Sequence, residues 1–541
     1  MLSISKSLLA LKSASHPSGS ESFRVFRRLV AVVPSMVVFS LVWVGYPSQM
    51  ASAQESPQII ELTMENMVDL AMSTSFEVRR LNLEVERDQH NLRAQRARLR
   101  SSADLELTTP SFRRTSEPKW NYELQRDEII QEETRRWEAE ISIRQPVVLF
   151  GWPTNGYLSI NSRVYQYTQF EDDGTKDTNY YNRYYFSYTQ PLFQPNGLKN
   201  SLEQAELSLE STWIDFNRDV LNLVSGVSEV YHDLLEEHNL RSVRLELVTD
   251  LERALEIGEE LLRGDSSRGV EVDQIRIELA NARESLQSQE SSLRLELAEV
   301  KQGLGLLDTD SIDFEPMFQL DPVQVDMNEA VDYALELTPT TRQFEIGLRN
   351  QEIGLERTKN RGAFRLNLNM SYGREVLDDQ FGNLWKNPES SYTINVSADL
   401  PLWDWGERKA RIASSEIGIE QTKLFWEETR IRIVSDVRNE VLNVRDREGR
   451  TLALQENLDL ARGVSAANFQ RFQAGTISAQ ELILSLLRQA DTNENFLESY
   501  VNWKSSLRRL QRQTYYSFEQ NRPFLEILTE EGWIPENGIE G

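Results

Sequence analysis

The chain repeats one pattern of elements along its length. Residues 186–192 and 396–402 are both alternating strands that end in Pro-Leu, and each is followed by an aromatic residue, a Gly and a long helical pattern. Pro191 and Pro401 are 210 residues apart. The same separation recurs further along, at Glu271 and Glu481. A constant offset over such a length indicates a duplicated unit of helix, strands, long helix, tight turn and helix. We therefore predict one elongated body made of two similar halves.

Charge and cysteine content exclude several functions. The 541 residues include 85 acidic and 59 basic ones, which gives a net charge of −26. Nucleic-acid binding requires clustered Lys and Arg, so this balance disfavours a nucleic-acid partner. The sequence has no Cys, which excludes disulfides, thiol catalysis, Cys metal sites and a lipid anchor on an N-terminal Cys.

The first 53 residues have the pattern of a signal peptide. A basic flank at 24–28 precedes an apolar run at 29–44, and Ala51-Ser52-Ala53 is a small-residue cleavage signal. The stretch before the flank is long for a signal peptide, which suggests a start codon downstream of Met1. A retained membrane anchor is the alternative. No later run has the roughly 18 apolar residues that a membrane-spanning helix needs, so an exported chain that crosses a membrane must do so with strands.

Alternating strands are clearest in the second half. Residues 366–372 and 394–400 place apolar side chains on one face and polar, mostly uncharged ones on the other. Each strand has about the 9–11 residues of a tilted transmembrane strand. A half-buried strand of a soluble protein has the same period. Several such strands in an exported protein favour a barrel.

The first half is longer than the second. Val68 and Val331 occupy equivalent helix positions but are 263 residues apart, so about 53 additional residues precede Pro191. Alternation at 137–144 and 184–189 argues against an unstructured insertion. The excess predicts either an enlarged extracellular or rim feature or additional strands. Between four and six strands per chain are therefore expected.

Long helices make up most of the chain. Residues 198–262 contain no Pro, and about 65 helical residues span about 100 Å. Apolar residues in this stretch step by 3 and 4, which is typical of a coiled-coil seam. Both long helices end at Gly-containing turns, and shorter helices return at 272–304 and 479–510. Ser478 and Glu481 form a capping box that opens the last of these helices.

No catalytic or metal-binding pattern stands out. His232 and His238 are six residues apart, roughly 120° around a helix, whereas two ligands on one helix require a spacing of three or four. We interpret both as polar-face histidines. Phosphate-binding and nucleophile-elbow motifs are absent from the sequence. We expect no enzyme activity, no cofactor and no metal site.

These features resemble the TolC family of outer-membrane efflux proteins. The resemblance rests on the Pro-Leu-aromatic segments that open long helices, on residues 471–482 at a helical turn, and on the acidic and apolar openings at 65–72 and 328–335. It implies a mostly α fold with a membrane β-barrel portion, in which three copies share one barrel and one long periplasmic α-helical barrel. The predicted organisation is: 1–53, signal peptide; 54–315, first repeat, with strands at about 104–190 and long helices at 198–304; 316–520, second repeat, with strands at about 365–400 and long helices at 405–512; 521–541, C-terminal tail.

The resemblance also implies a function. The homotrimer would be the exit duct of a tripartite efflux or type I secretion system in the outer membrane, and it would conduct substrates passively. Its partners would be outer-membrane lipid, a periplasmic adaptor protein and an inner-membrane transporter. The helical turns would dock the adaptor, through Gly264, Gly269, Gly475, Thr476 and Ser478. The alternative from another class is an exported periplasmic coiled-coil scaffold without channel activity. Drugs, metal ions and polypeptides all remain open as cargo.

A periplasmic gate is expected just beyond the turns. Glu481 lies where family members often carry Asp, and Leu484 stands one turn on, where a second acid is often found. A two-tier acidic gate on this helix is therefore disfavoured, and Glu271 and Asp273 are the candidates to complete it from the other hairpin. The alternative is that these acids only stabilise helix N-termini through the dipole.

Overall fold

The computed structural model describes residues 59–121, 125–150, 152–170, 176–264, 266–306, 311–313 and 320–535. The predicted signal peptide lies outside these residues. The first copy contains β1 (Ile59–Glu61), α1 (Met64–Thr74), α2 (Phe76–Ala97), β2 (Ser102–Asn121), β3 (Arg126–Leu149), β4 (Trp152–Phe170), β5 (Lys176–Leu192), α3 (Gly197–Gly264) and α4 (Gly269–Gly303). The second contains β6 (Ser311–Asp313), α5 (Met327–Glu336), α6 (Thr340–Asn360), β7 (Arg365–Asp378), β8 (Glu389–Asp399), α7 (Glu407–Gln473) and α8 (Ala479–Thr514). Each copy thus begins with a short strand, β1 or β6, so the second copy starts before the predicted residue 316. It then runs from a pair of shorter helices through strands to a hairpin of long helices.

The two longest helices set the dimensions of the fold. α3 has 68 residues and α7 has 67, so each is about 100 Å long. Such a helix cannot bury its apolar stripe alone, and each packs against the helix that follows it. Near the turns that connect α3 to α4 and α7 to α8, the two hairpins share one hydrophobic core. This core includes Leu251 of α3, Ile275 of α4, Phe472 of α7 and Leu482 of α8.

A second core lies about halfway along the helices. Trp503 of α8 is fully buried there, against Val441 and Val444 of α7 and Ala330 and Ala334 of α5. Small residues on α5 allow this short helix to approach the long ones closely. The core therefore connects the opening helices of the second copy to its hairpin.

One antiparallel sheet of six strands holds the two copies together. Its order is β2-β3-β4-β5-β7-β8, so the β5–β7 pair joins the first copy to the second. Within the described chain β2 and β8 are each paired on one side only. The sheet is therefore open at both edges.

The strand count explains the excess of the first copy. Four of the six strands of this sheet come from the first copy and two from the second. The additional residues of the first copy thus form another pair of strands within the sheet. The β2–β3 hairpin is also the longest, with strands of 20 and 24 residues against 14 and 11 in β7 and β8. The expectation of additional strands is thus confirmed, whereas an enlarged extracellular or rim feature stays a prediction.

The sheet has one apolar and one polar face, as the alternation predicts. A register row across all six strands of the apolar face consists of Ala103, Ile143, Ile160, Phe186, Tyr372 and Tyr392. Phe186 and Tyr372 are more than half exposed in this row, so the chain itself leaves the apolar face uncovered.

Two sequence predictions are wrong. The segment after residue 520, expected to be a tail, contains α9 (Phe524–Glu530), and Phe524, Ile527 and Leu528 are buried. His232, expected on a polar face, is also buried, and its Nδ1 lies 2.5 Å from the Ser228 carbonyl oxygen. Burial lowers the pKa of His232 to about 4, so the ring is neutral at physiological pH.

Among the helices of the described residues, none is long and apolar enough to cross a membrane.

Candidate pore and gate

The turn between α7 and α8 is fixed by its backbone. Gly475 has φ +69°, a left-handed conformation that closes a helix and favours Gly. The amide of Thr476 donates to the Arg471 carbonyl at 2.9 Å, and the amide of Gly475 donates to the Phe472 carbonyl at 2.9 Å. The Ser478 hydroxyl then accepts from the Glu481 amide at 3.3 Å and starts α8, as the capping pattern predicts.

The turn between α3 and α4 is built differently. α3 ends at Gly264, a short 3₁₀ turn covers Ser266–Arg268, and α4 starts at Gly269 without a side-chain cap. The two turns nevertheless lie side by side. Arg268 donates from Nη2 to the Gly475 carbonyl at 3.1 Å, across 207 residues of sequence. The structure thus brings together the predicted docking residues of both turns.

The three predicted gate acids differ in their surroundings. Glu271 lies 3.7 Å from Arg268, and Asp273 lies 3.2 Å from Arg276. Glu481 is exposed, and no ion pair of the described chain includes it. It borders a groove between α7 and α8 together with Leu484. Of the three, Glu481 therefore has the carboxylate that is most available to a passing ion.

The polar face of the sheet carries charges that the sequence prediction does not single out. Arg163 of β4 pairs with Glu138 and lies 3.5 Å from Glu140, both on β3. Arg183 of β5 lies 4.0 Å from Glu375 of β7. Alternation places each of these residues on the polar face, but their partners depend on strand register, which the sequence does not specify.

A cluster of acids lies midway along α3 and α4 and is likewise absent from the sequence prediction. Burial, followed by the charge of Glu498, raises the pKa of Glu236 to about 7. Burial, followed by the charge of Glu237, raises the pKa of Glu296 to about 7. These groups are partly protonated near neutral pH, so they carry less negative charge than their number suggests.

Arg268 is expected to hold the two turns together. Its side chain is 23% exposed, and a hydrogen bond from a guanidinium in such a site contributes about 1 kcal/mol or more. We expect Arg268→Gln to increase hydrogen exchange at the amides of residues 475–478 about fivefold. Mass spectrometry after deuterium labelling measures this.

The matched control is Arg263→Gln, because Arg263 is exposed in the last turn of α3. Exchange at 475–478 that rises equally in both variants would show that the Arg268 contact has no role.

Comparison with known proteins agrees with the fold. Residues 341–514 match the family model "Outer membrane efflux protein". Comparison with curated protein sequences gives no match. Among solved structures, CusC is 13% identical with a TM-score of 0.61, over 87% of this chain and 96% of that one. The CmeC outer membrane channel of Campylobacter jejuni is 12% identical with a TM-score of 0.61, over 89% and 94%. The outer membrane protein VceC of Vibrio cholerae is 12% identical with a TM-score of 0.57, over 84% and 95%.

At 12–13% identity the solved structures establish the fold alone. The family model is a separate match in sequence, and it lies within the second copy. The structure and the comparisons together confirm the predicted mostly α fold with strands and the resemblance noted from sequence. Residues 341–514 in the second copy therefore carry the sequence pattern of the outer membrane efflux protein family, and the described chain has the fold of CusC and of the CmeC outer membrane channel.

Proposed function

We propose that three copies of this chain form an outer-membrane exit duct, which conducts substrates passively from the periplasm to the exterior as part of a tripartite efflux or type I secretion system. The observation that carries the proposal is the open six-stranded sheet with its uncovered apolar face, joined to helices about 100 Å long. Conduction through such a duct needs no catalytic group of its own.

The open edges support a shared barrel. Unpaired strand edges are not tolerated in lipid, so β2 and β8 require partners there. Pairing β8 of one copy with β2 of the next closes three sheets into a barrel of 18 strands. With strands about 4.8 Å apart and tilted by about 40°, its radius is about 18 Å. Barrels of this size leave an aqueous channel.

The apolar face fits a bilayer. On β7 it runs from Leu366 to Val376, interrupted by Arg374 near its end, and this length corresponds to about 26 Å along the membrane normal at that tilt. Aromatic residues mark its helix-side end, where Phe193, Trp403 and Trp405 are 70–90% exposed. At the other end Phe381 packs edge-on against Tyr180. Aromatic girdles at both boundaries are typical of membrane barrels.

The long helices also need neighbours. α7 leaves large apolar side chains exposed along much of its length: Ile417, Leu424, Phe425, Ile431, Leu442, Leu452, Leu460 and Val464. Over the first part of the helix, Ile417, Leu424 and Ile431 follow a seven-residue spacing. A heptad stripe of this kind is buried in coiled-coil packing. A second copy of the chain, packed along α7, is the occupant that we propose.

The test is the native mass of the protein after detergent extraction from isolated outer membranes. We expect a heat-dissociable trimer, found only in the outer-membrane fraction. A monomer or dimer released without detergent would refute the duct and favour the exported coiled-coil scaffold.

Docking of the adaptor belongs to the same proposal. The two turns, with Gly264, Gly269, Gly475, Thr476 and Ser478, lie together at the end of the helices opposite the sheet. That end would face an energised inner-membrane transporter, with the adaptor seated on the turns.

Glu481 is the residue that we propose for the periplasmic gate. Three copies around the axis would concentrate cations at the entrance by electrostatic focusing. We expect Glu481→Ala to lower the cation-to-anion permeability ratio of single channels about twofold and to change their conductance. Planar-bilayer recording measures both quantities.

Glu481→Asp is the matched control, because it keeps the negative charge and shortens the side chain by one methylene; it should retain the wild-type selectivity. If Glu481→Ala leaves conductance and selectivity at wild-type values, Glu481 is only a helix N-terminal residue and the gate assignment fails.

A further inference from the structure

All six strands place a charged residue in one register row on the polar face of the sheet. From edge to edge the row consists of Glu106, Glu140, Arg163, Arg183, Glu375 and Glu389. We call this row the charged belt. Each member is directly paired with the next, so neighbouring Cβ atoms are about 5 Å apart.

The order of positive and negative residues across the belt does not stabilise the sheet. Three of the five steps join like charges: Glu106 with Glu140, Arg163 with Arg183, and Glu375 with Glu389. Like charges directly opposite each other are destabilising, whereas a row selected for stability would alternate in sign. A belt that keeps these pairs in every strand therefore indicates a role other than strand pairing.

Ion pairs neutralise the centre of the belt but not its ends. Arg163 lies 3.5 Å from Glu140, and Arg183 lies 4.0 Å from Glu375. Glu106 and Glu389 are exposed, and neither enters an ion pair or hydrogen bond within the described chain. Four acids and two bases give the belt a net charge of −2 per copy, and the uncompensated charge is at the two open edges.

We propose that the charged belt is a cation-selecting ring in the wall of the barrel, made of three oblique segments, and that it is a second selectivity element apart from the periplasmic gate. This inference rests on the proposed trimeric duct. Because the strands are tilted by about 40°, each segment rises by about 15 Å along the barrel axis from one edge strand to the other. The three segments together carry six excess negative charges facing the channel water. Rings of acidic side chains favour hydrated cations and deplete anions.

The experiment uses the full-length trimer in planar bilayers under a salt gradient. At about 0.01 M ionic strength the Debye length is about 30 Å, which exceeds the expected radius of the barrel, so the ring acts across the whole lumen. We expect E106Q/E389Q to lower the cation-to-anion permeability ratio at least about threefold there. At about 1 M salt, where the Debye length is about 3 Å, the difference is expected to vanish.

The matched control is E106D/E389D, which keeps the charge and shortens both side chains; it should retain the wild-type ratio. The single variant Glu389→Gln should give about half of the shift, and it serves as the test if the double variant does not assemble. Wild-type protein that forms no trimer and no channel would refute the proposed duct itself. Channels that conduct normally but keep the wild-type ratio in E106Q/E389Q, or in Glu389→Gln, would overturn the charged belt alone.

Discussion

Gly373→Val is expected to break the sheet where the two copies meet and to abolish the trimer. Gly373 of β7 lies opposite Tyr185 of β5, in the pair of strands that joins the copies. A Cβ atom at this position would lie 2.6 Å from the Tyr185 Cβ and 2.8 Å from the Tyr184 carbonyl oxygen. Neither atom belongs to the flexible end of a side chain, so the strands themselves must move apart. We expect a loss of about 3 kcal/mol or more.

The measurement is the fraction of heat-dissociable trimer in outer membranes. Ser371→Val is the matched control, because Ser371 is on the same face of the same strand, two residues away and opposite Ser187. It adds the same β-branched side chain, and we expect it to leave the trimer intact. A Gly373→Val protein that assembles as well as Ser371→Val would contradict the close approach of β5 and β7.

Trp503→Ala is expected to lower the stability of the helical part by about 3–5 kcal/mol, the range for removing a large aromatic side chain from a core. Trp503 is fully buried between α5, α7 and α8, and its indole Nε1 has no hydrogen-bond partner in the described chain. The loss therefore comes from packing and from the cation–π contact with Lys504, whose Nζ lies 4.9 Å from the centroid of the indole ring. The midpoint of urea unfolding, followed by helical circular dichroism in detergent, measures it.

Trp503→Phe provides the comparison for this site. This variant keeps an aromatic ring against Val441 and Val444. We therefore expect it to lower the free energy of unfolding by less than half as much as Trp503→Ala. Equal losses in the two variants would mean that the indole does not fill this core.

The spacing of apolar residues along the chain made the helices predictable from sequence, and the constant offset between similar segments made the duplication predictable. Residues 198–262 contain no Pro, so a long helix could be predicted from this segment alone. The helix cap at Ser478 joins two residues that are only three apart in the sequence. Alternation likewise assigned residues 366–372 to a strand with one apolar face. These signals are local, and the structure follows them.

Contacts between distant residues could not be predicted in the same way. The bond from Arg268 to Gly475 and the row that places Arg163 beside Arg183 depend on how elements dock and on strand register. Burial of His232 had no local signal, because a histidine on a long helix is buried or exposed according to its neighbours. The candidate gate shows the same limit. Sequence proposed Glu481 with Glu271 to complete the gate, and only the structure shows that Glu271 lies near Arg268 whereas no ion pair of the described chain includes Glu481.

The strand number has a consequence for the junction between sheet and helices. Each copy presents four helices side by side in cross-section, and at about 10 Å per helix they occupy about 40 Å of perimeter. Six tilted strands occupy about 38 Å, whereas four would occupy only about 25 Å. In the proposed trimer the additional strand pair therefore matches the circumference of the sheet to that of the helical tube. Bulky cargo that passes the periplasmic tip would then meet no narrowing of the channel where the helices join the strands.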